Sequence, residues 1–170
     1  MNSMRELPTL GFVEAVKLAS SRILDFKGRS RRSEFWWWML LVLIANFLIS
    51  QFLVFLPLVS VVVSIVIMFF GLAVTVRRLH DTGKSGWWVL ISYALHTGYS
   101  YYVITSPLIT QLLVSSNMNK VIEKNMGELM MFSGLSFLTA IVALLVIIFC
   151  LLDSTPSPNQ YGESPKYVAE

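Results

Sequence analysis

From Phe35 to Val76 the chain runs for 42 residues without an Asp, Glu, Lys or Arg. A helix that crosses the hydrocarbon core of a bilayer needs about 20 apolar residues. The run is therefore long enough for two, and Pro57 near its middle is a natural place to turn. We read a first span over about 35–56 and a second over about 58–77. A second charge-free run, Ser85 to Asn119, opens with an aromatic stretch that suits a third span over about 86–106, ending before Pro107. Leu129 to Leu152 forms a fourth, over about 129–152. Residues 108–128 are mixed and fit a loop, a helical extension or a segment lying on the membrane surface. Composition agrees: 55% of the chain is hydrophobic and 14% charged, against about 45–50% and 25% in soluble domains. Mean hydropathy is +0.67.

The distribution of charge sets the expected orientation, because Lys and Arg stay on the cytoplasmic side. Seven precede the first span (Arg5, Lys17, Arg22, Lys27, Arg29, Arg31 and Arg32), three lie between the second and third (Arg77, Arg78 and Lys84), and Lys166 follows the fourth. Only Lys120 and Lys124 fall on the other side. Both termini and the 77–85 loop are thus expected in the cytoplasm. The first 34 residues contain no signal-peptide-like apolar stretch, so the spans themselves are expected to direct insertion. Cys150 is the sole cysteine and forms no internal disulfide.

Ahead of the first span, Phe12, Val16, Ala19, Ile23 and Phe26 recur at steps of four and three. They make one stripe of a helix over about 9–26, with Glu14, Lys17, Ser21 and Asp25 opposite. The pattern suits an amphipathic helix on the membrane surface or one packed against the bundle. The fold class expected is all-α: a polytopic membrane protein of four transmembrane helices preceded by an amphipathic N-terminal helix. Its parts are a cytoplasmic segment (1–34), the bundle (35–152), and a cytoplasmic tail (153–170) whose Pro, Ser and Asn suggest an extended or loosely ordered chain.

Three segments stand out. In "FKGRSRRSEFWWW" (26–38), Ser30 or Ser33 can cap the first span, Glu34 lies in its first turn, and Trp36, Trp37 and Trp38 form an interfacial belt. In "RRLHDTGKSGWW" (77–88), Arg77 and Arg78 close the second span with stems that snorkel. Gly83 permits a left-handed backbone, Ser85 caps the third span, and Trp87 and Trp88 sit at interface depth. The tail carries "NQYGESP" (159–165). Glu34 can pair with Arg77 or Arg78, and Asp81 with an arginine of the 29–32 cluster. The three segments either meet as one polar cluster at the cytoplasmic mouth or serve as separate capping and topogenic devices.

These segments, in this order, resemble the hallmarks of a bacterial inner-membrane family numbered 805 among the domains of unknown function, the YhaH-like proteins. The resemblance covers the chain from about Phe12 to Pro165. It implies a small multi-helix inner-membrane protein without an established activity. By position it picks out Gly28, Arg29, Arg32, Glu34, Phe35 and Trp36; Arg77, Arg78, Leu79, His80, Asp81, Gly83, Ser85, Gly86 and Trp87; and Asn159, Tyr161, Gly162 and Pro165. One departure is the "STPSP" lead-in to the tail motif, where relatives tend to carry glycines.

Inside the spans, Asn46 and His96 fall at similar depths on helices running the same way, which allows a hydrogen bond between them. Ser60, Ser64, Gly71 and Thr75 form a small-residue stripe on the second span, and Ser133, Ser136, Ala140 and Ala143 one on the fourth. Both suit helix packing. His80 and Asp81 are adjacent like the ligands of a metal-binding pair. A metal site needs three or four ligands, and His96, the other histidine, belongs inside a span, so no metal is expected. Nothing in the chain has the spacing of a nucleophile–base pair, a phosphate loop or a redox cysteine pair, so neither enzyme activity nor a cofactor is expected. The function expected is that of a non-enzymatic scaffold binding a protein partner or membrane lipids, anionic ones included; nucleic acid is not an expected partner. The alternative is a homo-oligomeric small-solute or ion transporter or channel subunit using Asn46 and His96.

Overall fold

The computed structural model describes residues 4–53 and 55–169, with side chains at all of these except 57, 58, 60, 61, 64, 104 and 113. In chain order the elements are β1 (Met4–Glu6), α1 (Phe12–Ser21), α2 (Arg32–Phe52), α3 (Pro57–Asp81), α4 (Trp87–Thr105), α5 (Pro107–Val114), α6 (Met118–Lys124), α7 (Met126–Leu151) and β2 (Tyr167–Ala169). The described chain up to Trp87 and from Ile148 onward forms one compact unit, and residues 88–147 form another. Helices α2 and α7 are long and apolar enough to cross a membrane.

In the first unit, α2 starts earlier than the apolar run because Arg31, extended at φ −75° and ψ 164°, already serves as its N-cap. It ends at Phe52, short of the expected position 56. Val54 lies outside the described residues. Pro57 then occupies the first turn of α3, where its missing N–H costs nothing. Helix α3 runs past Val76 through the charged residues to Asp81. It stops in a two-bond cap: the Gly83 N–H donates to His80 O at 3.0 Å and the Lys84 N–H to Leu79 O at 2.8 Å. That geometry places Gly83 at φ +73°, a left-handed value that glycine adopts without strain.

Helices α2 and α3 pack side by side. Trp38 is buried, and its Nε1–H donates to Phe70 O at 2.9 Å. It belongs to the core rather than to the interfacial belt expected of Trp36–Trp38. A Cβ on Gly71 would meet Met39 Sδ at 3.3 Å, so this member of the small stripe permits the approach. Thr75 is buried with its hydroxyl on Gly71 O, while the side chains of Ser60 and Ser64 lie outside those described.

Helix α1 is shorter than the expected 9–26. Arg22 ends it, and Asp25 folds the following turn by accepting from the Lys27 N–H at 2.9 Å. Ala15 and Ala19 are its buried positions, whereas Phe12, Val13, Leu18, Leu24 and Phe26 in and after it are exposed. Of the expected stripe, Ala19 is buried, Val16 and Ile23 are half-buried, and the two terminal phenylalanines, Phe12 and Phe26, are exposed. Phe12 meets Trp37 edge-on at 5.6 Å.

The tail departs most from expectation. It is ordered by contacts, and β2 pairs antiparallel with β1 in the register Met4–Ala169, Arg5–Val168 and Glu6–Tyr167. Lys166 Nζ bridges Asp153 at 2.8 Å and Glu6 at 3.3 Å. The all-α expectation therefore needs one small correction, a two-stranded ribbon tying the chain ends.

In the second unit, the mixed segment becomes two short helices. Ser106 caps α5 by accepting from the Leu108 N–H at 3.1 Å and donates to Glu128 at 2.5 Å. Asn117 caps α6 by accepting from the Lys120 N–H at 3.2 Å. On α7, Phe132, Val142 and Val146 are buried, whereas Ser133, Ser136 and Ala140 are exposed. Ala143, the fourth member of that small stripe, is half-buried.

Gly86 lets the 82–86 turn fold back on α3. A Cβ there would lie 2.6 Å from Val76 Cγ1 and 3.2 Å from His80 Nε2. Gly86→Ala should therefore destabilise the fold by about 1–3 kcal/mol, read as a lower unfolding midpoint in detergent. Val76→Ala in the same background should restore part of it, and no recovery would remove the steric explanation.

Candidate functional site

The end of α3 supplies the centre of the site. Successive helical residues point about 100° apart, so Arg77 and Arg78 diverge to opposite neighbours. Both are fully buried at 0% exposure, as is Asp81, and Glu34 is at 1%. They do not snorkel to water as expected, because the fold supplies acceptors.

Arg77 reaches the α1–α2 connection. Its Nη2 pairs with Glu34 Oε1 at 3.0 Å. Its Nε donates to Ser30 Oγ at 2.9 Å, and its Nη1 to the carbonyls of Arg22 and Asp25 at 2.7 and 2.5 Å. Ser30 is therefore a partner of Arg77, not the cap of α2. Ser33 does not cap α2 either: its hydroxyl accepts from the Leu10 N–H, and α2 has no side-chain cap.

Arg78 reaches the far end of the chain. It donates to the carbonyls of Cys150, at 3.1 Å, and Leu152, and pairs with Asp81 Oδ2 at 2.5 Å. The last carbonyls of a helix lack intrahelical partners and carry its partial negative charge, so Arg78 caps α7. Arg29 completes the group. Its Nε and Nη2 approach Asp81 Oδ1 at 3.0 and 2.9 Å. The remaining donors hold the tail through Thr155 O at 2.6 Å, Ser157 O at 3.1 Å and Gly162 O at 3.2 Å. Asp81 also accepts from the Ser154 hydroxyl, and its carbonyl accepts from the Thr155 N–H.

His80 faces the same tail. Its Nδ1 donates to Gly28 O at 3.1 Å, which specifies the Nδ1–H tautomer. Its ring stacks on Tyr161 with centroids 3.7 Å apart and planes 4° from parallel. Asn159 donates to His80 O at 2.9 Å and accepts from the Tyr161 N–H at 2.8 Å, shaping a turn that Gly162 closes at φ +121°.

The structure thus brings together Gly28, Arg29, Glu34, Arg77, Arg78, His80, Asp81, Asn159, Tyr161 and Gly162. Gly83 and Gly86 shape the adjoining turn, and Ser85 accepts from the Trp87 N–H at the start of α4. Arg32, Trp36 and Trp87 are exposed outside the cluster. Asn46 is half-buried in the first unit, and His96 is exposed in the second. Among the described residues no group of three His, Cys, Asp or Glu is placed to hold a metal. Sequence reasoning missed Ser154, Thr155, the pairing of Ser30 with Arg77 and every carbonyl acceptor. A serine or threonine beside a buried arginine was the signal available, and the "STPSP" lead-in supplies two of the three.

At the edge of the site, the Lys166 hydrogen bond holds the Asp153 carboxyl below its usual range, and Asp153 in turn holds the Lys166 amine above its own. Backbone donation from Lys27 and the Arg22 side chain lower Asp25 likewise.

A family model described as "Protein of unknown function (DUF805)" matches residues 23–163. The matched range contains the first two clustered segments and all but the last two residues of the third, and leaves out α1, β1 and β2. The chain is 33% identical over 80 residues to inner membrane protein YhaI of Escherichia coli K12, covering 45% of this chain and 68% of that protein. It is 29% identical over 89 residues to inner membrane protein YhaH of the same organism, covering 48% and 74%. No solved structure matches.

Breaking a buried ion pair strands the partner charge and costs about 3–5 kcal/mol. Asp81→Asn, which leaves two guanidiniums without a carboxylate, should lose that much and release the tail. Limited proteolysis after residue 152 and a detergent unfolding curve would detect both effects. A stable Asp81→Asn protein with a protected tail would refute the role of the pair.

Proposed function

The chain belongs to the DUF805 family, and on that premise we propose that it is a non-enzymatic inner-membrane scaffold with four spans, α2, α3, α4 and α7, and cytoplasmic termini. The carrying observation is that the polar cluster is closed on itself. Arg29, Arg77, Arg78 and Asp81 spend their charges and hydrogen bonds on one another and on the chain's own carbonyls. A group that attacks or protonates a substrate needs access to it, and these groups have none. Their arrangement acts as a clasp that gathers the ends of α1, α3 and α7 and the tail.

Around the clasp lie the groups left for recognition: Arg32, Trp36, Trp37 and Trp87 are exposed. Aromatic rings at this level suit the membrane interface, and cations suit an anionic partner or lipid. The basic residues before α2 and between α3 and α4 support a cytoplasmic location for this face.

Reconstituted in vesicles, the protein should conduct no ion or small solute above protein-free controls, and His96→Ala should change nothing. A flux that His96→Ala abolishes in a normally folded protein would replace the scaffold with a transporter.

A further inference from the structure

Beside the clasp, where α2 begins, lies an open cavity of about 270 Å³. Its charged and polar lining includes Arg31, Arg32, Ser33, Lys166, Glu6 and Asp153. Both carboxylates are already paired with Lys166. Arg31 and Arg32 make no ion pair among the described residues, although the Arg32 charge contributes to holding the Asp153 carboxyl low. Arg31 is only half-exposed, and its Nη1 is buried without a hydrogen-bond partner among the described residues. A buried guanidinium nitrogen left unpaired is uncommon and points to an absent acceptor.

The backbone adds to this. Helix α2 starts without a side-chain cap, so its first N–H groups and the positive end of its dipole are unclaimed by any side chain. Two features therefore converge: a pair of guanidiniums without an ion pair among the described residues, one of them carrying the orphan buried nitrogen, and a helix start without a side-chain cap. Together they suit a compact anion with several acceptor oxygens. The exposed rings of Trp36 and Trp37 follow within two turns, which places the cavity at the depth of lipid phosphates if α2 enters the membrane as proposed.

We infer that Arg31, Arg32 and the start of α2 bind a phosphate group, that of an anionic phospholipid headgroup or of a soluble phosphate. The site rests on the scaffold reading for its depth in the bilayer. It adds a defined ligand chemistry to a recognition face that otherwise has none. Ser33 Oγ accepts from the Leu10 N–H and keeps its own hydrogen to offer. Arg31 and Arg32 supply the charge.

The test uses the full chain in nanodiscs of neutral phosphatidylcholine with or without phosphatidylglycerol, and separately with inorganic phosphate alone. Lipid retention is read by native mass spectrometry. Arg31→Gln with Arg32→Gln should weaken phosphatidylglycerol retention about tenfold, the scale of losing one or two charge-assisted bonds. Arg32→Gln alone, at an exposed position, should give part of that loss with an unchanged unfolding midpoint. Lys120→Gln with Lys124→Gln removes the same charge elsewhere and should have no effect. Protection by inorganic phosphate without phosphatidylglycerol retention would assign the soluble source. Retention indifferent to both arginine variants, or equally reduced by the lysine pair, would overturn the site. Neither result bears on the flux measurement, which tests the scaffold reading separately.

Discussion

Asp81 receives two guanidiniums at once, Arg29 from before α2 and Arg78 from one turn back on its own helix. Much of the first unit hangs on that carboxylate. A buried carboxylate is expensive to desolvate, and a buried arginine equally so. Gathered within bonding distance they offset each other, and the remaining donors find carbonyls that would otherwise be unpaired. The arithmetic of charge shows why carbonyls matter. Three arginines face two acids, Glu34 and Asp81, and the excess is met by backbone oxygens from the exits of α1 and α7 and from the tail. Helix and turn ends provide such oxygens in quantity.

The same economy explains why the chain keeps charged residues so close to an apolar run. A lysine concentrates three donors on one atom, whereas a planar guanidinium spreads five over three nitrogens and so reaches acceptors that lie farther apart. Arg77 gathers the 22–34 connection, Arg78 the 150–154 exit of α7, and Arg29 both Asp81 and the tail. The tail, which carries no long apolar stretch of its own, is held through polar contacts: Arg29 on its carbonyls, Tyr161 on the His80 ring and Lys166 between Asp153 and Glu6.

The side chains of this cluster are occupied by one another and by the chain's own carbonyls. Its neighbours Arg31 and Arg32 are the contrast: the same residue type, three or fewer positions from Arg29, yet without an ion pair among the described residues. Sequence adjacency does not separate the two groups. Direction does, because Arg29 precedes the extended Arg31 and turns toward Asp81, whereas Arg32 already stands on the exposed side of α2.

From the residues alone one could obtain the long helices α2, α3, α4 and α7 in approximate bounds, because long uncharged runs and a proline constrain the backbone locally, whereas α5 and α6 were left open. The family resemblance and the three polar segments 26–38, 77–88 and 159–165 were likewise readable, but whether those segments meet was left open between one cluster and separate devices. Only the tertiary structure decided which partners. Glu34 had two arginines within reach and took Arg77; Ser30 became a ligand of that arginine instead of a cap; Trp38 entered the core while Trp36 and Trp37 stayed outside. The docking of the tail and the pairing of Met4–Glu6 with Tyr167–Ala169 were invisible for one reason. They depend on backbone carbonyls and N–H groups, which every residue carries, and only the folded geometry determines which of them meet.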